Sequence, residues 1–218
     1  MPPEKPRRRA TRVPATVRRE QILDAAISVF ARAGFREAST ASIAEHLAVS
    51  EPTIFRHFAT KRELYLATID RSTDALLASW RKIAGRARSP MAAVFEIGRW
   101  HLTELGRDPG PLLLRFRSYA ESSDPDVAKR VRGRFLETVV FIEALYTKAR
   151  AAGEIPPITD VQALTWHFMS VGALMDVTEV LGLRSTFDLS ALGGLMRQAE
   201  PPSGKPKGPR LTGRGSGR

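Results

Sequence analysis

The stretch from Thr40 to Leu64, TASIAEHLAVSEPTIFRHFATKREL, leaves this chain few choices of fold. Ile43, Ala44 and Leu47 share one face of a short helix over 41–47. Ala48-Val49-Ser50 then makes a turn. Ser50 is placed to cap a second helix, accepting a bond from an N–H that the first turn leaves unpaired. Pro52 falls inside that first turn, where a missing N–H costs nothing. The second helix is expected from Glu51 to about Phe58. Thr60-Lys61-Arg62-Glu63 has the Thr-x-x-Glu form of a capping box, so a third helix starts at once. Two short helices across a three-residue turn describe a helix-turn-helix, a motif whose second helix lies in the major groove of DNA.

The flanking sequence supplies helices on both sides. Ile22, Ala25, Ala26, Val29, Phe30 and Ala33 form the apolar face of a helix from about Val17 to Ala33, and Gly34 stops it. The helix opening at Lys61 keeps its apolar repeat through Leu64, Tyr65, Ile69, Leu76, Leu77, Trp80 and Ile83 to about Ala84. At 1.5 Å per residue it is roughly 35 Å long, enough to leave a three-helix head and enter a second domain. Further starts stand at Ser89-Pro90, Asp108-Pro109, Asp124-Pro125 and the capping box opened by Thr159-Asp160, and stops at Gly106, Gly153 and Gly182. They imply helices over 90–105, 110–121, 125–152, 160–181 and 188–199. No stretch alternates like a strand. The expected fold is all-α with about nine helices: a disordered basic arm (1–16), a head (17–70), a second helical domain (71–200) and a disordered basic tail (201–218).

The motif residues carry a family resemblance. Thr40, Ile43-Ala44, Ala48-Val49-Ser50, Thr53-Ile54-Phe55, His57-Phe58 and Lys61 with Leu64 resemble the DNA-binding signature of the TetR family of bacterial transcriptional regulators. Two positions depart from it. Ala48 stands where Gly is usual, so the turn is expected to do without an easy positive φ. Phe55 stands where Tyr is usual, which removes a hydroxyl able to reach phosphate. The resemblance is specific over residues 18–65. Beyond them it is architectural. It implies a second domain that encloses a pocket for a small, apolar or aromatic effector and pairs two copies of the chain.

Charge fits a nucleic-acid partner, through its position more than its total. The net charge is +11. Residues 1–20 hold seven Lys/Arg against two Glu, and residues 197–218 hold six against one, so each end carries +5. Residues 21–65 hold five basic and five acidic side chains and are neutral. Nonspecific attraction to phosphate therefore belongs to the ends, through Arg7, Arg8, Arg9 and Arg12 among others; the alternative is a pair of solvated tails. The chain has no Cys and no apolar run near the ~20 residues of a membrane span. Its N-terminus lacks the apolar segment of a signal peptide. A cytoplasmic protein is the expectation. No His-x-x-x-His pair, Gly-x-Ser-x-Gly elbow or phosphate-cradling Gly loop is present, and nothing positive points to catalysis, a metal or a cofactor.

Candidate DNA contacts follow from the motif. Thr40 and Ser42 can donate to phosphate. Pro52, Thr53, Ile54 and Arg56 lie on the second helix, and Arg56 suits the two acceptors of guanine. Ile54 either meets a thymine methyl or belongs to the core. Glu51 either accepts from cytosine or favours the helix N-terminus. Leu47, Phe55, Phe58 and Leu64 read as core. By the resemblance, His57 and Lys61 act as phosphate clamps.

In the second domain, Trp100, Phe116, Phe141 and Trp166 come from four helices and are the candidate effector contacts, against a simple core role. Glu143 and Asp176 sit inside apolar runs and each needs a partner. That partner is either a cationic ligand or an arginine such as Arg99, Arg115 or Arg117. Helix 160–181 is apolar nearly all round and must be buried on several sides. By resemblance, it and helix 188–199 form a homodimer bundle; otherwise it is internal core. The function expected is a ligand-responsive dimeric repressor on a palindromic double-stranded operator. The alternatives are an activator and a ligand-independent architectural DNA binder.

Overall fold

The structure is a computed structural model that describes residues 13–104 and 107–183. Eight helices fill these residues, with no strand among them: α1 (Ala15–Glu37), α2 (Thr40–His46), α3 (Glu51–Phe55), α4 (Lys61–Ala84), α5 (Pro90–Glu104), α6 (Gly110–Ala120), α7 (Pro125–Ala151) and α8 (Val161–Val180). The basic arm through Arg12, the stop at Gly106, the helix expected over 188–199 and the basic tail lie outside the described residues.

Local capping chemistry explains most boundaries. Thr60 accepts from the Glu63 N–H at 3.0 Å, and Glu63 returns a bond to the Ala59 N–H at 2.8 Å. Asp124 accepts from the N–H groups of Asp126 and Val127 ahead of Pro125. Ser89 accepts from Ala92 at 3.2 Å. Gly153 and Gly182 both take positive φ, as helix stops require. Gly34 does the same at φ 74 and kinks α1, so the last residues of that element form a separate turn.

Four expectations are corrected. Ser50 sits at the N-cap of α3 but makes no capping bond; its hydroxyl pairs with Thr53 Oγ1 at 3.0 Å. The second motif helix ends at Phe55, not Phe58. The cap of α8 is Asp160, accepting from Ala163, one residue beyond the predicted Thr159. Ala48 takes φ 51 without being Gly, because the chain must reverse direction between α2 and α3 whatever residue stands there.

Two main cores stack along the molecule. One gathers α1–α4 around Phe30, Ile43, Ile54, Phe58, Leu64 and Tyr65, and takes in Leu114 of α6 and Val127 of α7. The other joins α4, α5, α7 and α8 around Trp80, Ile97, Ile142 and Tyr146. The head therefore does not hang from α4 alone. α6 lies along α1, and Arg117 donates to the Arg32 carbonyl at 2.9 Å and the Ala31 carbonyl at 3.4 Å, a cation on the last carbonyls of the helix before its kink. Glu121 accepts from the Phe35 N–H at 2.6 Å. Arg62 of α4 binds Asp124 of the α6–α7 turn. No helix is long and apolar enough to cross a membrane among the described residues.

Candidate nucleic-acid interface and ligand cavity

The outer face of the helix-turn-helix is built from few side chains. Pro52, Phe55 and Arg56 are exposed, and Thr53 and His57 are half-buried. Arg56 Nη2 donates to Thr53 Oγ1 at 3.0 Å, and that oxygen meets Ser50 Oγ. Ser50, Thr53 and Arg56 thus form one polar strip along α3. The inner face carries Ile54, 1% exposed and packed in the head core, so of its two readings the core is correct and the side chain is out of reach of a base. Phe55 is the reverse: expected in the core, it is 46% exposed. A five-residue helix has a single inward stripe, which Ile54 occupies in α3, and Phe58 just past its end packs into the same core.

The polar candidates at the rim divide similarly. Thr40 is buried and its hydroxyl donates to Glu51 Oε1 at 2.5 Å, tying the start of α2 to the start of α3. This corrects the expectation that Thr40 donates to phosphate and gives Glu51 a partner within the protein. Ser42 is half-buried; its hydroxyl donates to the Ser39 carbonyl at 2.8 Å while Ser39 caps α2. Lys61 Nζ turns inward, donating to the Ala38 carbonyl at 2.9 Å and the Arg36 carbonyl at 3.3 Å, 4.8 Å above the Phe35 ring. It pins the α1–α2 connection, which uses two of the three ammonium donors that a phosphate clamp would offer. Arg19 of α1 lies 4.7 Å over Phe58.

A half-open cavity of about 1460 Å³ lies between α4, α5, α6, α7 and α8. Of the four aromatic candidates, Trp100 and Phe116 line it. The other two are corrected. Phe141 packs against Trp80, ring centroids 5.9 Å apart, and Trp166 is 45% exposed against Phe135, at 6.2 Å. Helical spacing placed four aromatics on four helices, but only the crossing geometry decides which way each points.

Asp176 is 5% exposed, and it finds its partners within the chain. His101 Nε2 lies 2.8 Å from Oδ1, and Arg115 Nη1 3.7 Å from Oδ2. Of the three arginines considered from the sequence, Arg99 pairs with Glu96 on its own helix and Arg117 holds α1. Tyr119 also lines the cavity beside this group: desolvation raises its phenol above the ordinary value, Arg115 opposes the shift and Asp176 adds to it. Burial pushes the Tyr146 phenol, another wall group, up to about 12. Glu143 is half-buried and does not line the cavity. Trp80 Nε1 is a buried donor without a partner, on a side chain that lines the cavity. The described residues hold no group of three or more potential metal ligands.

At the junction of head and second domain, Tyr65 is fully buried and its hydroxyl has no hydrogen-bond partner, nor has Glu121 Oε2. Burial first, and then the Glu121 carboxylate, hold the Tyr65 phenol well above its ordinary value, with Arg117 opposing. Sequence reasoning missed this contact because its members lie 56 positions apart (121 − 65) and each sits in an unremarkable local pattern.

The helix-turn-helix of α2 and α3 runs through α4 into a cavity-bearing helical body. Residues 22–68 match the family model for bacterial regulatory proteins of the tetR family. That segment, the helix-turn-helix head with the start of α4, carries the family's DNA-binding region. Over 75 residues it is 41% identical to the HTH-type transcriptional activator FasR of Mycolicibacterium smegmatis, a match covering 34% of each chain. Over 93 residues it is 30% identical to the nucleoid occlusion factor SlmA of Idiomarina loihiensis, covering 43% of this chain and 47% of that one. The matched segments thus span between a third and a half of these relatives. In fold it resembles the transcriptional regulator FadR from Bacillus subtilis in complex with stearoyl-CoA, with a TM-score of 0.71 and 17% identity over 83% of this chain and 97% of that one.

Proposed function

We propose that this protein is a transcriptional regulator that binds a double-stranded operator as a homodimer and releases it when a small apolar effector fills the cavity. The observation that carries the proposal is the double use of α6. One side of this helix lines the cavity through Arg115, Phe116 and Tyr119. Another side grips the end of α1 through Arg117 and Glu121. A ligand that favours a shifted α6 would therefore carry α1 and the head with it, alongside the continuous α4. The ligand acts only through its preference for the spacing of the two heads that does not fit DNA. FadR, solved with stearoyl-CoA in a similar fold, supports an apolar effector.

Dimerisation is supported by α8. Trp166, Leu174, Val177 and Val180 are exposed there, so a helix expected to be buried on several sides leaves one apolar face open. A second copy would cover it and set two heads about one DNA turn apart. Repression is the assigned sign; FasR is an activator, but the match to it covers only about a third of each chain.

Selection of bound duplexes from a random pool at about 0.15 M salt, where nonspecific attraction is weak, tests the proposal. The expected result is a palindrome with half-sites about one turn apart. Recovery of no enriched motif would refute it in favour of an architectural DNA binder acting through the basic ends.

A further inference from the structure

The polar groups around Asp176 are unevenly matched. One buried carboxylate faces two basic side chains, His101 at 2.8 Å and Arg115 at 3.7 Å. The first distance is a hydrogen bond and the second is not. The Arg115 guanidinium makes no hydrogen bond among the described residues; its one ion pair among them is with Asp176. A guanidinium carries five N–H donors in a planar fork and keeps its charge at any ordinary pH. Here the fork is half-buried in a wall that is otherwise largely apolar, with Phe95, Phe116, Phe168 and Met175 lining the same cavity. The other arginines of the wall are occupied. Arg134 binds Asp74, Glu137 and the Asp70 carbonyl, and Arg99 binds Glu96.

We infer that the effector is a long-chain carboxylic acid, its carboxylate held by the Arg115 fork with the Tyr119 hydroxyl and His101 beside it, its apolar body filling the cavity. This rests on the reading of the cavity as an effector site. The charges select among head groups. A cationic head would meet an Asp176 already paired and an arginine facing it. A neutral head would cover the half-buried guanidinium and leave its donors unmatched, which is costly. A carboxylate takes two parallel N–H bonds from the fork. A cavity of about 1460 Å³ exceeds the ~300–1,000 Å³ of ordinary small-ligand sites, so the body is long. Arg115 is one position from Phe116 and two from Arg117, so a head group bound there acts on the helix that holds α1.

The test is a titration of the full chain with hexadecanoic acid, hexadecan-1-ol and hexadecanoyl-CoA, below their aggregation concentrations, followed by the fluorescence of Trp80 and Trp100 in the cavity wall. The acid is expected to bind about ten- to a hundredfold more tightly than the alcohol, the scale of a charge-assisted pair. Arg115→Met is expected to bring the acid down to the alcohol's affinity while leaving the alcohol unchanged, and Arg115→Lys to recover part of the preference. Equal binding of acid and alcohol by the unaltered protein would overturn the inference and leave the effector site standing. So would a preference that survives Arg115→Met, or tighter binding of the thioester that ignores Arg115. Binding of none of the three would overturn the effector site and the inference together.

Discussion

Ala48→Gly isolates the strain in the turn that aims the recognition helix. Ala48 holds φ 51, the left-handed region, where an L-residue's Cβ crowds the following carbonyl at a cost of roughly 1–2 kcal/mol. The residue is exposed, so removing its methyl gives up little packing. Glycine relieves the crowding but adds freedom to the unfolded chain, which costs about 0.4–1 kcal/mol. The balance is a gain of about 0.5–1 kcal/mol. For a chain of this size, 1 kcal/mol moves the melting temperature by about 2–4 °C, so the variant should melt about 1–4 °C higher by far-UV circular dichroism. Ala48→Val, branched at the same strained position, should melt lower. A glycine variant that melts at or below the parent temperature would refute the strain argument. It would mean that the α2–α3 interface, including the Thr40–Glu51 bond, holds the turn without cost.

Four further outcomes are expected. Arg56→Ala should weaken operator binding by about 1–3 kcal/mol while changing nonspecific binding less, in competition assays against random duplex; equal losses would make Arg56 a phosphate contact. Arg117→Ala should leave effector affinity unchanged but blunt the loss of operator affinity on effector binding, because the grip of α6 on the Ala31 and Arg32 carbonyls is gone. Leu174→Glu, at a position 49% exposed, should leave the fold intact and shift sedimentation to the monomer. Asp124→Asn tests a pH dependence. Desolvation pushes the Asp124 carboxyl up, but the N–H groups of Val127 and Asp126 and the Arg62 guanidinium outweigh it and hold it below its ordinary 3.8. A lowered folded pKa stabilises fully above the unfolded value, and that stability is lost as pH falls through the folded value. The parent protein should therefore lose stability on acidification below about pH 4, and the asparagine variant should lose less over that window in acid-melting curves.

Most helix boundaries are encoded locally and are legible in the sequence; the cap and end of α3 and the cap of α8 are the exceptions. Thr60 and Glu63 fix the start of α4, Asp124 and Pro125 that of α7, and Gly153 and Gly182 end helices by positive φ. The α4 span, Lys61–Ala84, is the one that capping and periodicity predict. Such signals are legible because donor and acceptor lie within four residues of each other. The DNA-binding motif is legible for the same reason.

What only the tertiary structure decided are the partners of side chains far apart in sequence. The Lys61 ammonium serves carbonyls 23 and 25 positions earlier, a pairing that no local pattern shows. Arg115 and Arg117 are two residues apart on α6, and local pattern gave no reason to send one into a cavity and the other to the end of α1. Nor did it show that Phe141 and Trp166 turn away from the space that Trp100 and Phe116 line. On α8, apolar nearly all round, periodicity named no inward face at all. Capping is settled by bonds along the chain. The cavity, the α6–α1 grip and the open face of α8 are settled by how helices cross, and that depends on the packing of the whole core.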